Sequence, residues 1–172
     1  MQHYTPITAT PDTRTTPAEA DPFEHRFGST HRLPKGLRKE ARGMSWPLFT
    51  ATYCPTPDLR ITGLTSEKLR AGKARFSAEL TTYSKTAAPT STRRETIATG
   101  PASAITHFLA EEGRYVEIRT FRQQRIFEAT VTFLEVAHQW DHTRTAWAVG
   151  FGPTDATSIA HALASGAQRI HG

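Results

Sequence analysis

Cysteine is all but missing from this chain: Cys54 is the only one among 172 residues. A lone thiol excludes an intramolecular disulfide and any zinc site built on a cysteine cluster. Its setting, Tyr53-Cys54-Pro55, has no nucleophile elbow and no helix start, so Cys54 reads as a small half-buried hydrophobe. Long apolar runs are missing as well. No stretch approaches the length of a membrane span, and the first residues lack the continuous apolar run of a signal peptide. The expectation is a soluble, cytoplasmic protein. Large apolar side chains are scarce over residues 1–32, where Thr, Pro, Asp and Arg predominate. Such a stretch cannot offset the entropy of its own ordering and predicts a disordered N-terminal tail.

Negative charge is in the minority, with 21 Lys and Arg against 16 Asp and Glu, a net +5. The densest basic group is Arg32, Lys35, Arg38, Lys39 and Arg42. Helical spacing puts several of these on one face, which suits solvent or a weak contact with an acidic partner. No nucleic-acid module or base-stacking motif accompanies the charge, so nucleic acid is not an expected partner.

What is present is a pattern of strands and helices. Residues 33–72 read as a connector. Within it Pro34 suits the start and Gly43 the end of a short helix. Trp46, Leu48, Phe49 and Tyr53 suggest an arm or edge strand, with Pro47, Pro55 and Pro57 against a central one. Thr65 to Lys68 suggests a brief helical turn ending at Gly72. From residue 73 to 172 a compact domain is expected. Phe76, Ala78 and Leu80 alternate with polar neighbours, as in a half-buried strand, and the stretch from Thr92 to Thr99 returns as its hairpin partner. A first helix follows over residues 101–112, with Ala104, Ile105, Phe108 and Leu109 on one face. Val116 and Ile118, then Phe127, Ala129, Val131 and Phe133, mark two more strands, with Gln123-Gln124 as the turn between them. Thr145, Trp147, Val149 and Phe151 form one face of another strand, and Ala146, Ala148 and Gly150 a small opposite face on which a helix can lie close. The last helix is expected over residues 154–170. The order predicts an α+β fold: two pseudo-repeated strand–strand–(strand)–helix units forming an antiparallel sheet layer with two helices on one face. So thin a cover favours pairing with a second copy.

The most informative feature is a junction that occurs twice. Ala98-Thr99-Gly100-Pro101 and Gly150-Phe151-Gly152-Pro153-Thr154 each end a strand and open a helix. Gly permits a sharp turn, and Pro near the first helical position loses no needed N–H. A helix start of this kind presents free N–H groups and the positive end of the helix dipole, a seat for a carboxylate.

The run from Thr99-Gly100-Pro101-Ala102-Ser103-Ala104 through Leu109-Ala110 and Tyr115-Val116-Glu117-Ile118 resembles the C-terminal regulatory domain of 2-isopropylmalate synthase, with its G-x-G-N-G-P junction, alanine-rich helix and strand. The later run Ala146-Trp147-Ala148-Val149-Gly150-Phe151, then Thr157-Ser158-Ile159-Ala160-His161-Ala162-Leu163, resembles that family's second junction and last helix. The resemblance spans about residues 74–170. It implies two pseudo-repeated units that dimerise and hold the feedback inhibitor leucine with the two junction loops. Carried over, the ligand-binding positions are Ala98, Thr99, Gly100, Pro101, Gly150, Phe151, Gly152, Pro153 and Thr154. The aliphatic part of the ligand would meet apolar strand residues such as Val149 or Ile118. Thr96 and Ala98 stand where the family carries two further glycines, and Thr99 replaces its Asn. The family's catalytic barrel, with its divalent metal held by an Asp and a His-x-His pair, has no counterpart in this chain. The resemblance thus implies a stand-alone regulatory domain tied to branched-chain amino-acid synthesis, with no catalysis, metal or cofactor of its own. Its partners would be a second copy, a barrel-bearing enzyme and a small amino or keto acid such as leucine. The alternative is a dimerisation module that has lost the ligand.

Two other groups draw notice. His138, Trp140, Asp141 and His142 have ligand-like spacing, yet a polar segment between strands is by default an exposed loop. His107 and His161 sit at comparable places in the two helices with no orienting partner in view.

Overall fold

The computed structural model describes residues 21–28, 30–127 and 129–172. Three short helices, α1 (Pro22–Phe27), α2 (Lys35–Glu40) and α3 (Trp46–Tyr53), come first. Then β1 (Leu59–Lys68), β2 (Ala74–Thr82) and β3 (Thr90–Ala98) lead into α4 (Pro101–Glu111). The same order returns: β4 (Val116–Ile126), β5 (Ala129–His138) and β6 (Thr145–Gly152) lead into α5 (Asp155–His171). The fold is α+β, two successive units of three antiparallel strands closed by a helix. Each unit forms its own sheet, in the order β1-β2-β3 and β4-β5-β6.

One core joins both sheets to both long helices. Leu59, Ile61, Phe76, Ala78 and Leu80 from the first sheet and Val116, Leu134 and Val136 from the second pack with Ile105, Phe108 and Leu109 of α4. Ile159, Leu163, Ala167 and Ile170 of α5 complete it. α4 and α5 touch each other; α4 reaches β3 and β4, and α5 reaches β1, β4, β5 and β6. The opposite face of the second sheet has a core of its own, where Val131, Phe133, Trp147 and Val149 meet Phe23, Leu37, Phe49 and Tyr53 from the three short helices. β5 is therefore covered on both faces.

Of the three short helices, α1 falls within the expected tail, α2 is the short helix expected after Pro34, and α3 lies where the arm was expected. Residues 1–20, the greater part of the predicted tail, lie outside the described residues. Residues 21–28, expected in that tail, are instead helix α1 with its caps. Asp21 caps α1, accepting from Phe23 N at 2.9 Å and Glu24 N at 3.2 Å, and its second oxygen accepts from Leu33 N at 3.1 Å. Phe23 is fully buried, edge-on to Phe133 with centroids 5.3 Å apart. Average composition hid one capping carboxylate and one well-placed ring.

The expected arm at Trp46 is α3 instead. Ser45 Oγ caps it through Leu48 N at 3.4 Å, and Pro47 falls in the first turn, where its missing N–H is no loss. Thr65 to Lys68 belongs to β1 rather than a helical turn, after a bulge between Thr62 and Thr65. The chain turns back at Ala71 and Gly72, both with positive φ. Gln123-Gln124 lies inside β4, and the turn sits at Phe127, whose φ is +49°. Gln123 is accommodated within the strand because its Nε2 donates to Thr132 Oγ1 at 2.8 Å and Ser158 Oγ at 3.0 Å.

Candidate functional site

The two junctions share a sequence pattern but not a physical state. At the second, α5 lies directly on the small face of β6. A Cβ on Gly150 would run into the backbone N of Ala162 and the carbonyl of Ser158, with Ala162 Cα 2.8 Å away. A Cβ on Gly152 would sit 2.6 Å from Ser158 N. These glycines admit the helix, not a ligand. The helix start is also occupied by the chain's own groups: Thr154 Oγ1 accepts from Thr157 N at 3.2 Å, and Ser158 N donates to Thr154 O at 3.0 Å. Asp155 supplies a carboxylate in the first turn, held by Thr130 Oγ1 at 3.0 Å. A negative group at this position satisfies the helix dipole from within.

The first junction is bare by comparison. Gly100 caps α4 with extended backbone and no side-chain bond, Pro101 opens the helix, and its first turn has no acidic residue. A Cβ on Gly100 would meet nothing within 4 Å. Ala98 and Ala102 pack at the margin of the main core, while Ile97 is exposed on the outer face.

Beside the second junction lies a cleft of about 360 Å³. Its walls are the loop from Cys54 to Pro57, Arg60 to Thr62 of β1, Val149 to Phe151 of β6, and His161, Ala164 and Ser165 of α5. Of the junction-loop positions only Gly150 and Phe151 line it; Ala98, Thr99, Gly100 and Pro101 take no part. The side chains expected to grip an aliphatic ligand point elsewhere, Val149 into the core under the short helices and Ile118 against the main core. Phe151 likewise joins Phe23, Phe27 and Trp46 in an aromatic cluster, so β6 lines the cleft with its backbone.

Arg60 and His161 line the cleft, and among the described residues no Asp or Glu does. The Arg60 guanidinium lies 4.2 Å from the centre of the Tyr83 ring, a cation–π contact that holds it at the rim. His161 Nδ1 lies 2.6 Å from the carbonyl oxygen of Phe151. A carbonyl only accepts, so Nδ1 carries the proton and a neutral ring leaves Nε2 as an acceptor. Ser165 Oγ donates to Pro55 O at 3.1 Å, tying the loop to α5. Burial pushes the Cys54 thiol up to about 12, so it stays protonated and is no nucleophile. Just outside, Arg114 clasps Asp58 with both terminal nitrogens, one bond at 2.9 Å, and holds that carboxyl below its ordinary range. Asp58 N also donates to Gln168 Oε1 at 3.1 Å, so the start of β1 is tied to α5.

No family model matches this chain, and no curated protein matches it. The chemistry of the cleft is what bears on function.

The remaining candidates are engaged in structure. His138 Nδ1 accepts from the backbone N–H groups of Trp140 and Asp141, each at 3.2 Å, shaping the loop that follows β5. His142 Nδ1 lies 2.7 Å from Arg119 and 3.5 Å from Glu117. Among the described residues no three His, Cys, Asp or Glu side chains come together as a metal site would need. His107 pairs with Glu111 one turn on, and Arg94 bridges Glu111 and Glu112. No helix among the described residues is long and apolar enough to cross a membrane. Sequence reasoning missed Arg60, Ile61 and the Pro55 to Pro57 loop, all within the presumed connector. The alternation of Leu59 and Ile61 with Arg60 and Thr62 was the available signal.

Proposed function

We propose that this chain is a non-catalytic regulatory domain that binds a small carboxylate with a short aliphatic body, the chemistry of a branched-chain amino or keto acid. The observation that carries the reading is the cleft between β1 and β6, with Arg60 and His161 at its edge, no acidic residue among the described residues of its wall, and Ile61 and Ala164 beneath. A guanidinium suits a carboxylate and an apolar floor suits an aliphatic chain, while His161 Nε2 offers an acceptor to a donor on the ligand. The resemblance to the regulatory domain of 2-isopropylmalate synthase supports the same class, through the repeated order of three strands and a helix. In this reading the domain acts through a second copy of itself or through a barrel-bearing enzyme of branched-chain amino-acid synthesis.

Calorimetric titration with leucine, isoleucine, valine and their 2-oxo acids tests the proposal. Binding by at least one, weakened about ten- to a hundredfold by Arg60→Ala, is the expected outcome. No heat with any of them sinks it. A second reading, a dimerisation module without ligand, is favoured by the filling of the second junction by α5 and Asp155. It predicts a stable dimer by light scattering that is indifferent to every acid tested.

A further inference from the structure

An exposed sheet edge is a template for another strand, and folded chains blunt it with bulges, prolines or covering groups. The edges of the two sheets are β1, β3, β4 and β6. β1 carries a bulge between Thr62 and Thr65, and β4 one between Ile118 and Thr120. On β6 the carbonyls of Trp147 and Phe151 are occupied by Arg169 and His161. β3 is different. It pairs with β2 in unbroken register, holds no Pro, Gly or Lys, and exposes Thr90 to Arg93, Glu95 and Ile97.

The strand is also complementary to itself. Tyr83 N donates to Asp58 O, so odd-numbered residues of β2 turn their backbone groups to β1 and even-numbered ones to β3. Across the β2–β3 register this leaves Ser91, Arg93, Glu95 and Ile97 with N–H and C=O directed away from the sheet. Two copies of the edge, antiparallel about a twofold axis at Arg94, set Arg93 opposite Glu95 on both sides of the axis and Thr92 opposite Thr96. Every outward residue then meets another outward residue, as a ladder requires. With the axis at Arg93 or at Glu95 instead, like charges face each other. Ser77 Oγ holds the Glu95 carboxylate on the outer face at 3.0 Å. Arg94 faces its own copy on the axis, and its charge is met on the helix side by Glu111 at 3.5 Å and Glu112 at 2.9 Å.

We infer that β3 is an interface: two copies of this chain join edge to edge about Arg94 and continue the first sheet across both. The backbone ladder supplies the attraction. The Arg93 and Glu95 side chains, both well exposed, select the register, since exposed ion pairs add little by themselves. The inference deepens the second-copy part of the reading above and is independent of any ligand.

Light scattering on the full chain, on Arg93→Glu, on Glu95→Arg and on an equimolar mixture of the two variants tests it. Wild type is expected to be a dimer. Each variant alone sets like charges opposite one another twice, and its dimer dissociation constant should rise at least about tenfold. In the mixture each acidic edge meets a basic one, and the dimer should return. Thermal melts followed by circular dichroism show whether the variants fold; where one does not, a cross-link at Arg94→Cys decides. Opposed residues of a non-hydrogen-bonded pair lie about 4.5 Å apart, within disulfide reach, so mild oxidation should join two chains there. A dimer indifferent to both charge variants, no recovery in a mixture of folded variants, or no cross-link overturns β3 as the interface while pairing through another surface stands. A monomeric wild type overturns the second-copy reading as well, and the carboxylate proposal is then judged by its own titration.

Discussion

Gly150→Ala isolates the physical role of the second junction. The added methyl has nowhere to go, because the atoms it meets are the backbone of α5 at Ser158 and Ala162, not the ends of flexible side chains. α5 must lift from β6, and α5 also carries Ile159, Leu163, Ala167 and Ile170 of the main core. Overpacking a tight site costs about 1–3 kcal/mol, and a rigid backbone contact belongs at the top of that range. For a chain of this size, about 3 kcal/mol lowers Tm by roughly 6–12 °C. Gly100→Ala is the control, since its methyl would meet nothing within 4 Å and its backbone is extended. Its loss is confined to weaker capping, on the order of 1 kcal/mol or less. Urea denaturation of wild type and both variants, with equal m-values as the check on two-state behaviour, measures the difference. Gly150→Ala as stable as wild type, or less damaging than Gly100→Ala, would refute the claim that this glycine admits the helix.

The Asp58–Arg114 pair gives a pH signature. Asp58 is held below its ordinary range chiefly by its hydrogen bonds to Arg114, so its stabilisation is complete above about pH 4 and fades as pH falls further. In Asp58→Asn the urea midpoint should fall at neutral pH and lose less than wild type on acidification to about pH 3; parallel curves would contradict this. Cys54, with its thiol pushed up to about 12, should be alkylated by iodoacetamide at pH 8 at a small fraction of the rate seen in urea. Equal rates in the native and unfolded chain would remove the burial argument. Phe23→Ala should cost about 3 kcal/mol by denaturation, the low end for a buried ring because the six-residue α1 can settle into part of the space. A neutral result would mean that α1 contributes nothing to the core.

What could be read in the sequence was what periodicity encodes. Phe76, Ala78 and Leu80 lie in the core as their alternation predicts, and so do Ile105, Phe108 and Leu109 at helical spacing. The small face of β6 at Ala146, Ala148 and Gly150 announced the close helix that lies on it. What escaped was set by single contacts. One Asp21 carboxylate organises α1 and the return of the chain at Leu33, a bond spanning 12 residues that no local pattern marks. β1 escaped because it is an edge strand with a bulge, whose second half is almost wholly exposed. The cleft went with it, since three of its walls meet only after β1, the Pro55 to Pro57 loop and α5 have been brought together.

The doubled junction is the clearest case of one pattern serving two ends. In both copies Gly-Pro turns a strand into a helix. In the second unit the sheet is covered on its far side by α1, α2 and α3, and on its near side α5 presses so closely that only glycine fits at Gly150 and Gly152. In the first unit β3 is exposed along much of its length and a Cβ on Gly100 would meet nothing within 4 Å, so nothing there demands glycine for space. Close packing therefore requires glycine in one copy alone. Packing assigns the second loop to the core. The cleft lies beside it, where Arg60 of β1 and His161 of α5 stand over Ile61 and Ala164.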